Sequence, residues 1–123
     1  MEENQKFSII ARLKSFKYAF NGLKLFFINE HNARIHFIAA VLAIALAVYL
    51  QLSPLEWVAI LAVISAVFVA EILNSSIEKL ADVVAPEIHP KIKMVKDLAA
   101  GAVLVTALLA LATGALIFLP KLF

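Results

Sequence analysis

The chain has 123 residues, 63% of them hydrophobic, and a mean hydropathy of +0.95; soluble domains run nearer half apolar, so a membrane is the first environment to consider. The formal charge of +2 is too small to argue for nucleic acid, and the lack of cysteine excludes disulfides and thiolate chemistry.

One membrane domain over residues 1–123 is expected, all-α, with an N-terminal amphipathic surface helix and three transmembrane helices. The opening Met1-Glu2-Glu3-Asn4-Gln5 is polar and lacks the basic-then-apolar order of a cleaved signal peptide, so the first span is expected to be retained. The surface helix covers residues 7–28. Leu13, Phe16, Phe20, Leu23 and Phe27 step by three and four along one face, and Lys14, Lys17, Asn21 and Lys24 keep that rhythm about 100° away. Aromatic and basic faces side by side suit a helix lying among lipid headgroups, its lysines reaching water. An ordinary amphipathic helix packed on its own bundle carries the same pattern.

The spans are expected at residues 35–50, 55–85 and 92–119. Crossing the hydrocarbon takes about 20 apolar residues, and residues 35–55, 57–70 and 98–119 contain no Asp, Glu, Lys or Arg. Between the first two spans, Ser53 fits an N-cap and Pro54 the first helical position. Pro86 and Pro90 bracket the loop Glu87-Ile88-His89, and Pro120 is expected to stop the last span. Tyr49 and Trp57 fit an interfacial aromatic belt. Lys6, Arg12, Lys14, Lys17, Lys24 and Arg34 precede the first span, and Lys79, Lys91, Lys93 and Lys96 cluster between the second and third. Residues 51–56 carry no cation and the C-terminus only Lys121. The surface helix and the second loop are therefore expected in the cytoplasm, with the C-terminus outside. So small a chain encloses little core, which makes oligomerisation the default expectation.

The informative segment is Glu71-Ile72-Leu73-Asn74-Ser75-Ser76-Ile77-Glu78, followed by Asp82. At about 100° per residue, Glu71, Asn74, Glu78 and Asp82 fall within roughly 80° of one another. An ionised carboxylate facing lipid costs at least about 2.5 kcal/mol, so this stripe must face protein, water or a cation. Hard oxygen ligands suit Mg²⁺, which takes one or two carboxylates plus substrate phosphates. Glu30 and Glu78 form the natural pair, both at the cytoplasmic boundary, with Lys96 and Asp97 opening the last span at that level. Glu71 lies about 10 Å deeper along the helix, where it suits a general base for an alcohol held in the membrane. His31, His36 and His89 have no metal-binding spacing. With glycine only at positions 22, 101 and 114, no glycine-rich phosphate loop can be written. A proton- or cation-coupled transporter also places carboxylates in membrane helices and stays open on these residues. Such a protein usually places its acid nearer mid-span. A non-catalytic scaffold would have no reason to gather acids on one face.

The stripe, together with Glu87, His89, Lys96-Asp97, Gly22-Leu23 and Ile28-Asn29-Glu30, resembles the signature of the prokaryotic diacylglycerol kinase family, which includes undecaprenol kinases. The resemblance runs over residues 14–122. It implies a homotrimeric lipid kinase of the bacterial inner membrane, with active sites shared between subunits at the cytoplasmic face, moving the γ-phosphate of ATP to a lipid hydroxyl with Mg²⁺. It implies Glu71 as catalytic base with Asn74 orienting it or the substrate, and Glu30 and Glu78 as metal and ATP ligands. Tyr18, Glu87, Ile88, His89, Lys96 and Asp97 are implied in nucleotide contact, and Glu71 with Ala100 in contact with the lipid. Asp82 matches a recurrent acidic position. An arginine that contacts ATP in some members has Ala11 in its slot here, with Arg12 and Lys14 nearby. Diacylglycerol-specific members tend to carry serine where Ala100 stands. The run Ala99-Ala100-Gly101-Ala102, His89-Pro90 and the ending Ile117-Phe118-Leu119-Pro120-Lys121-Leu122 look more like undecaprenol kinases.

Overall fold

A computed structural model describes residues 8–123; Met1 to Phe7, including the expected start of the first helix and Lys6, lie outside the described residues. The fold is four helices in chain order: α1 (Ile9–Asn29), α2 (His31–Tyr49), α3 (Pro54–Val84) and α4 (Pro90–Leu122). The last three are long and apolar enough to cross a membrane.

Ser8 caps α1 by accepting from the Ala11 amide at 3.2 Å. Glu30 is the hinge between α1 and α2. Its backbone is extended, at φ −103° and ψ 116°, and it ends one helix and opens the next. Helix α2 therefore begins at His31, earlier than the apolar run alone indicates. The Arg34 guanidinium donates to the backbone carbonyls of Phe27 and Ile28, at the open end of α1. A cation there satisfies orphan acceptors and meets the negative end of the helix dipole. Phe27 ties three helices together. Its ring lies 5.7 Å from Phe37 of α2 and 5.8 Å from Phe68 of α3, both edge-to-face.

The turn before α3 follows the expected signal and adds to it. Ser53 accepts from the Glu56 amide at 3.2 Å, and the Glu56 carboxylate accepts from the Ser53 amide at 2.9 Å, which makes a full capping box with Pro54 at its start. Gln51 takes the left-handed region at φ 54° to close the turn. Beside it Ala47, Leu52 and Ile60 form a buried cluster, covered by Trp57, Ile64, Ile117 and Phe118. At the same end Lys121 of α4 reaches Glu56 at 3.2 Å.

Helix α3 packs most extensively against α4. The α4 start is set by His89, whose Nδ1 accepts from the Lys91 amide at 3.1 Å, with Pro90 at the first helical position. Its far end corrects an expectation: α4 runs through Pro120 to Leu122, and the Phe123 amide donates to Leu119. A proline this close to the end removes one backbone bond and has less than a turn left to disrupt. Most large apolar side chains of α2, α3 and α4 are open in the single chain, among them Leu42, Leu61, Leu108 and Leu116. That exposure suits lipid or a neighbouring copy and would be costly in water.

Candidate active site

The polar stripe of α3 is graded. Glu71 is buried at 6% exposure and Ser75, one turn on, at 9%, whereas Glu78 and Asp82 are open. The gradient follows from what faces each turn. At Glu71 the neighbour is α2, and His36 Nε2 lies 3.0 Å from Glu71 Oε1. Asn74, three residues further and on the same face, has its side-chain oxygen buried with no partner among the described residues. A buried acceptor left open costs about 1–3 kcal/mol.

Nearer the helix end the stripe meets cations. Lys79 Nζ lies 2.7 Å from Glu30 Oε1. Glu30 opens α2 without using its side chain as a cap, which leaves the carboxylate for this contact. Lys96 Nζ lies 2.7 Å from Asp82 Oδ1, joining α4 to α3, and Glu78 is within electrostatic reach of the same ammonium. Lys93 pairs with Asp97 one turn along α4 at 2.6 Å. Glu30 with Lys79, and Glu78 and Asp82 with Lys96, thus form two charged groups between the α1–α2 hinge and the start of α4.

Two clefts flank these groups. One, of about 300 Å³, lies between α1 and α3, lined by Ala19, Gly22, Phe26, Glu30, Ser75 and Lys79. A Cβ at Gly22 would meet nothing within 4 Å, so the cleft is open at that position. The other, of about 320 Å³, gathers Asp82, Glu87, Ile88, His89, Lys93 and Lys96 around the α3–α4 turn. Of the residues singled out from the sequence, Glu87, Ile88, His89 and Lys96 are brought together, Glu30 meets Lys79, and Glu78 acts on Lys96. Tyr18 is open on α1 and Ala100 is open on α4, beside the buried Ala99. Asp97 turns to Lys93 and away from Lys96. His36 is the residue that sequence reasoning passed over. The only signal was its place on an apolar helix, and its partner lies 35 positions away.

Glu30 and Glu78 are hard oxygen donors, the ligand type that Mg²⁺ takes. Glu30 keeps one carboxylate oxygen free of Lys79, and Glu78 is an open carboxylate beside it in the chain. No group of three or more His, Cys, Asp or Glu side chains that could hold a metal occurs among the described residues. Mg²⁺ does not need one, since substrate phosphates and water complete its shell.

Comparison with known proteins shows the family to which the chain belongs. Residues 17–118 match the model of the prokaryotic diacylglycerol kinase family. The chain belongs to that family. It is similar to the undecaprenol kinase of Bacillus subtilis, at 39% identity over 89% of each chain. It is also similar to the diacylglycerol kinase of Synechocystis, at 39% identity over 89% of this chain and 63% of the relative, and to that of Escherichia coli, at 32% identity over 82% and 83%. As a member of the prokaryotic diacylglycerol kinase family the chain is an enzyme, a membrane lipid kinase, and membership implies ATP as the phosphate donor. The transporter alternative falls with that finding.

Proposed function

We propose that the chain transfers the γ-phosphate of ATP to the hydroxyl of undecaprenol at the cytoplasmic face of the bacterial inner membrane. The observation that carries the assignment is Glu71, a buried carboxylate in an apolar helix, about two turns from Glu78 and three from Asp82, which pairs with Lys96. Phosphoryl transfer asks a protein mainly for positioning and charge neutralisation, and a deep acid beside a charged boundary supplies both. Lysine and arginine around α1 and the α3–α4 turn support a cytoplasmic site and an outer C-terminus. The aromatic and lysine faces of α1 support its lying in the headgroup region.

Glu71 takes the proton from the lipid hydroxyl as its oxygen attacks in line. Asn74 orients the acceptor from the same face. Glu30 and Glu78 would hold Mg²⁺, which supplies neutralisation of the triphosphate. Lys96 offers a further cation to the phosphates. Glu87, Ile88 and His89, with Tyr18 and Asp97, contact the nucleotide. Ala100 borders the lipid. The site is completed between subunits of a homotrimer, and the open Tyr18, Glu78 and Ala100 are the residues with surface to give a neighbour. The resemblance to the Bacillus subtilis enzyme over nearly the full length of both chains, with alanine at position 100, supports undecaprenol. The Synechocystis relative, equally identical, supports diacylglycerol as the second reading.

Purified protein with Mg-ATP, offered undecaprenol and diacylglycerol side by side, tests both. Labelled phosphate is expected on undecaprenol. Label on diacylglycerol alone selects the second acceptor, and label on neither rejects the proposed reaction.

A further inference from the structure

The contact between His36 and Glu71 joins the middle of the molecule's chemistry to a residue with no assigned part in it. Glu71 Oε1 lies 3.0 Å from His36 Nε2, with side-chain exposures of 8% for the acid and 28% for the imidazole. Against an ionised carboxylate, which can only accept, Nε2 is the donor of this hydrogen bond. The other side of the contact is apolar. His36 lines a cavity of about 430 Å³ between α2, α3 and α4, with Ala39, Ala43, Val67, Ala110 and Gly114 among its walls. No other hydrogen-bond donor meets Glu71 among the described residues.

We propose that His36 is the positioning residue for Glu71. Its Nε2–H donates to Oε1, fixes the carboxylate plane, and leaves Oε2 as the oxygen that meets the acceptor hydroxyl. The inference rests on the proposed role of Glu71 as base. The chemistry favours histidine here over the longer cations. A lysine or arginine at this spot would place a permanent charge against the acid and weaken it as a base, whereas a neutral imidazole offers a directed hydrogen without that charge. It also compensates part of the desolvation of a carboxylate held in apolar surroundings. Misplacing a reacting group by about 1 Å can cost on the order of 100-fold in rate, which is the scale of the effect expected.

The test uses the full chain in lipid-containing micelles. His36→Leu is expected to lower kcat about 10- to 100-fold with KM for ATP unchanged. His36→Gln keeps an amide hydrogen that can reach the same oxygen and is expected to recover most of the loss. A second measurement needs no turnover: ¹⁵N spectra of histidine-labelled protein, which has only three histidines. A protonated Nε2 signal from His36 is expected to move in Glu71→Gln, while His31 and His89 stay in place. A His36 signal indifferent to Glu71→Gln overturns the inference, as does full turnover in His36→Leu. Equal loss in the Gln and Leu variants also overturns it, because the imidazole itself would then be handling the proton. Wild-type protein that phosphorylates no lipid alcohol overturns the proposed reaction instead, and the spectra still decide whether the pair exists.

Discussion

Lys79 Nζ sits 2.7 Å from Glu30 Oε1, so the hinge between α1 and α2 is tethered to α3 one residue beyond Glu78. The pair joins residues 49 positions apart. It is half open to solvent, the lysine at 64% exposure and the glutamate at 28%, and exposed pairs contribute at most about 1 kcal/mol. Its importance lies in the charge it sets beside two candidate metal ligands. Lys79→Met is expected to change thermal stability little and to lower the Mg²⁺ concentration needed for half-maximal kinase activity. A Mg²⁺ titration of activity checks this; an unchanged or raised requirement separates Glu30 from the metal.

Glu71→Gln keeps the shape of the side chain but puts a neutral amide against His36 in place of the carboxylate, and it cannot take a proton. Turnover is expected to fall by about 100-fold or more, the usual scale for a lost general base, while ATP binding measured by equilibrium titration stays as in the parent. Normal turnover would remove Glu71 from the reaction.

The Lys96–Asp82 pair predicts an asymmetry. Lys96 lines the α3–α4 cleft and is the cation on which both Asp82 and Glu78 act. Lys96→Met is expected to raise KM for ATP and lower kcat, since it removes charge from the phosphates. Asp82→Asn leaves the lysine in place, and its effect on KM is expected to be several-fold smaller. Steady-state kinetics over an ATP series distinguishes the two; equal effects would mean that Asp82 acts on the nucleotide directly.

At the opposite end of the bundle, Ser53→Ala removes half of a capping box. The loss is expected to be about 0.5–2 kcal/mol, read as a lowered Tm in detergent, with KM for ATP unchanged because the turn and the charged groups lie at opposite ends of α3.

Helix positions were legible because two local signals coincide in this chain. Long charge-free runs exclude loops in the membrane, and the Ser53-Pro54 and His89-Pro90 steps mark where helices restart. Where the signal was one-sided it misled. Pro120 reads as a stop, yet at the last turn it costs too little to end α4. The amphipathic pattern of α1 placed Phe27 on the apolar face, and Phe27 is the ring that contacts α2 and α3. Phe26, off that face, is nevertheless the buried residue of α1. Helical periodicity orders faces but does not say which neighbour each one meets.

The sequence alone determined that Glu71, Asn74, Glu78 and Asp82 share a helix face inside an apolar segment, because residue spacing on a helix is a local property. Only the tertiary structure decided which members of that face are buried, that His36 answers Glu71 and Lys96 answers Asp82, and that Lys79 of the same helix reaches Glu30 at the hinge. Those pairings cross from one helix to another, and interhelical distance is set by packing and bends such as the one at Glu30, which no periodicity along a single helix encodes.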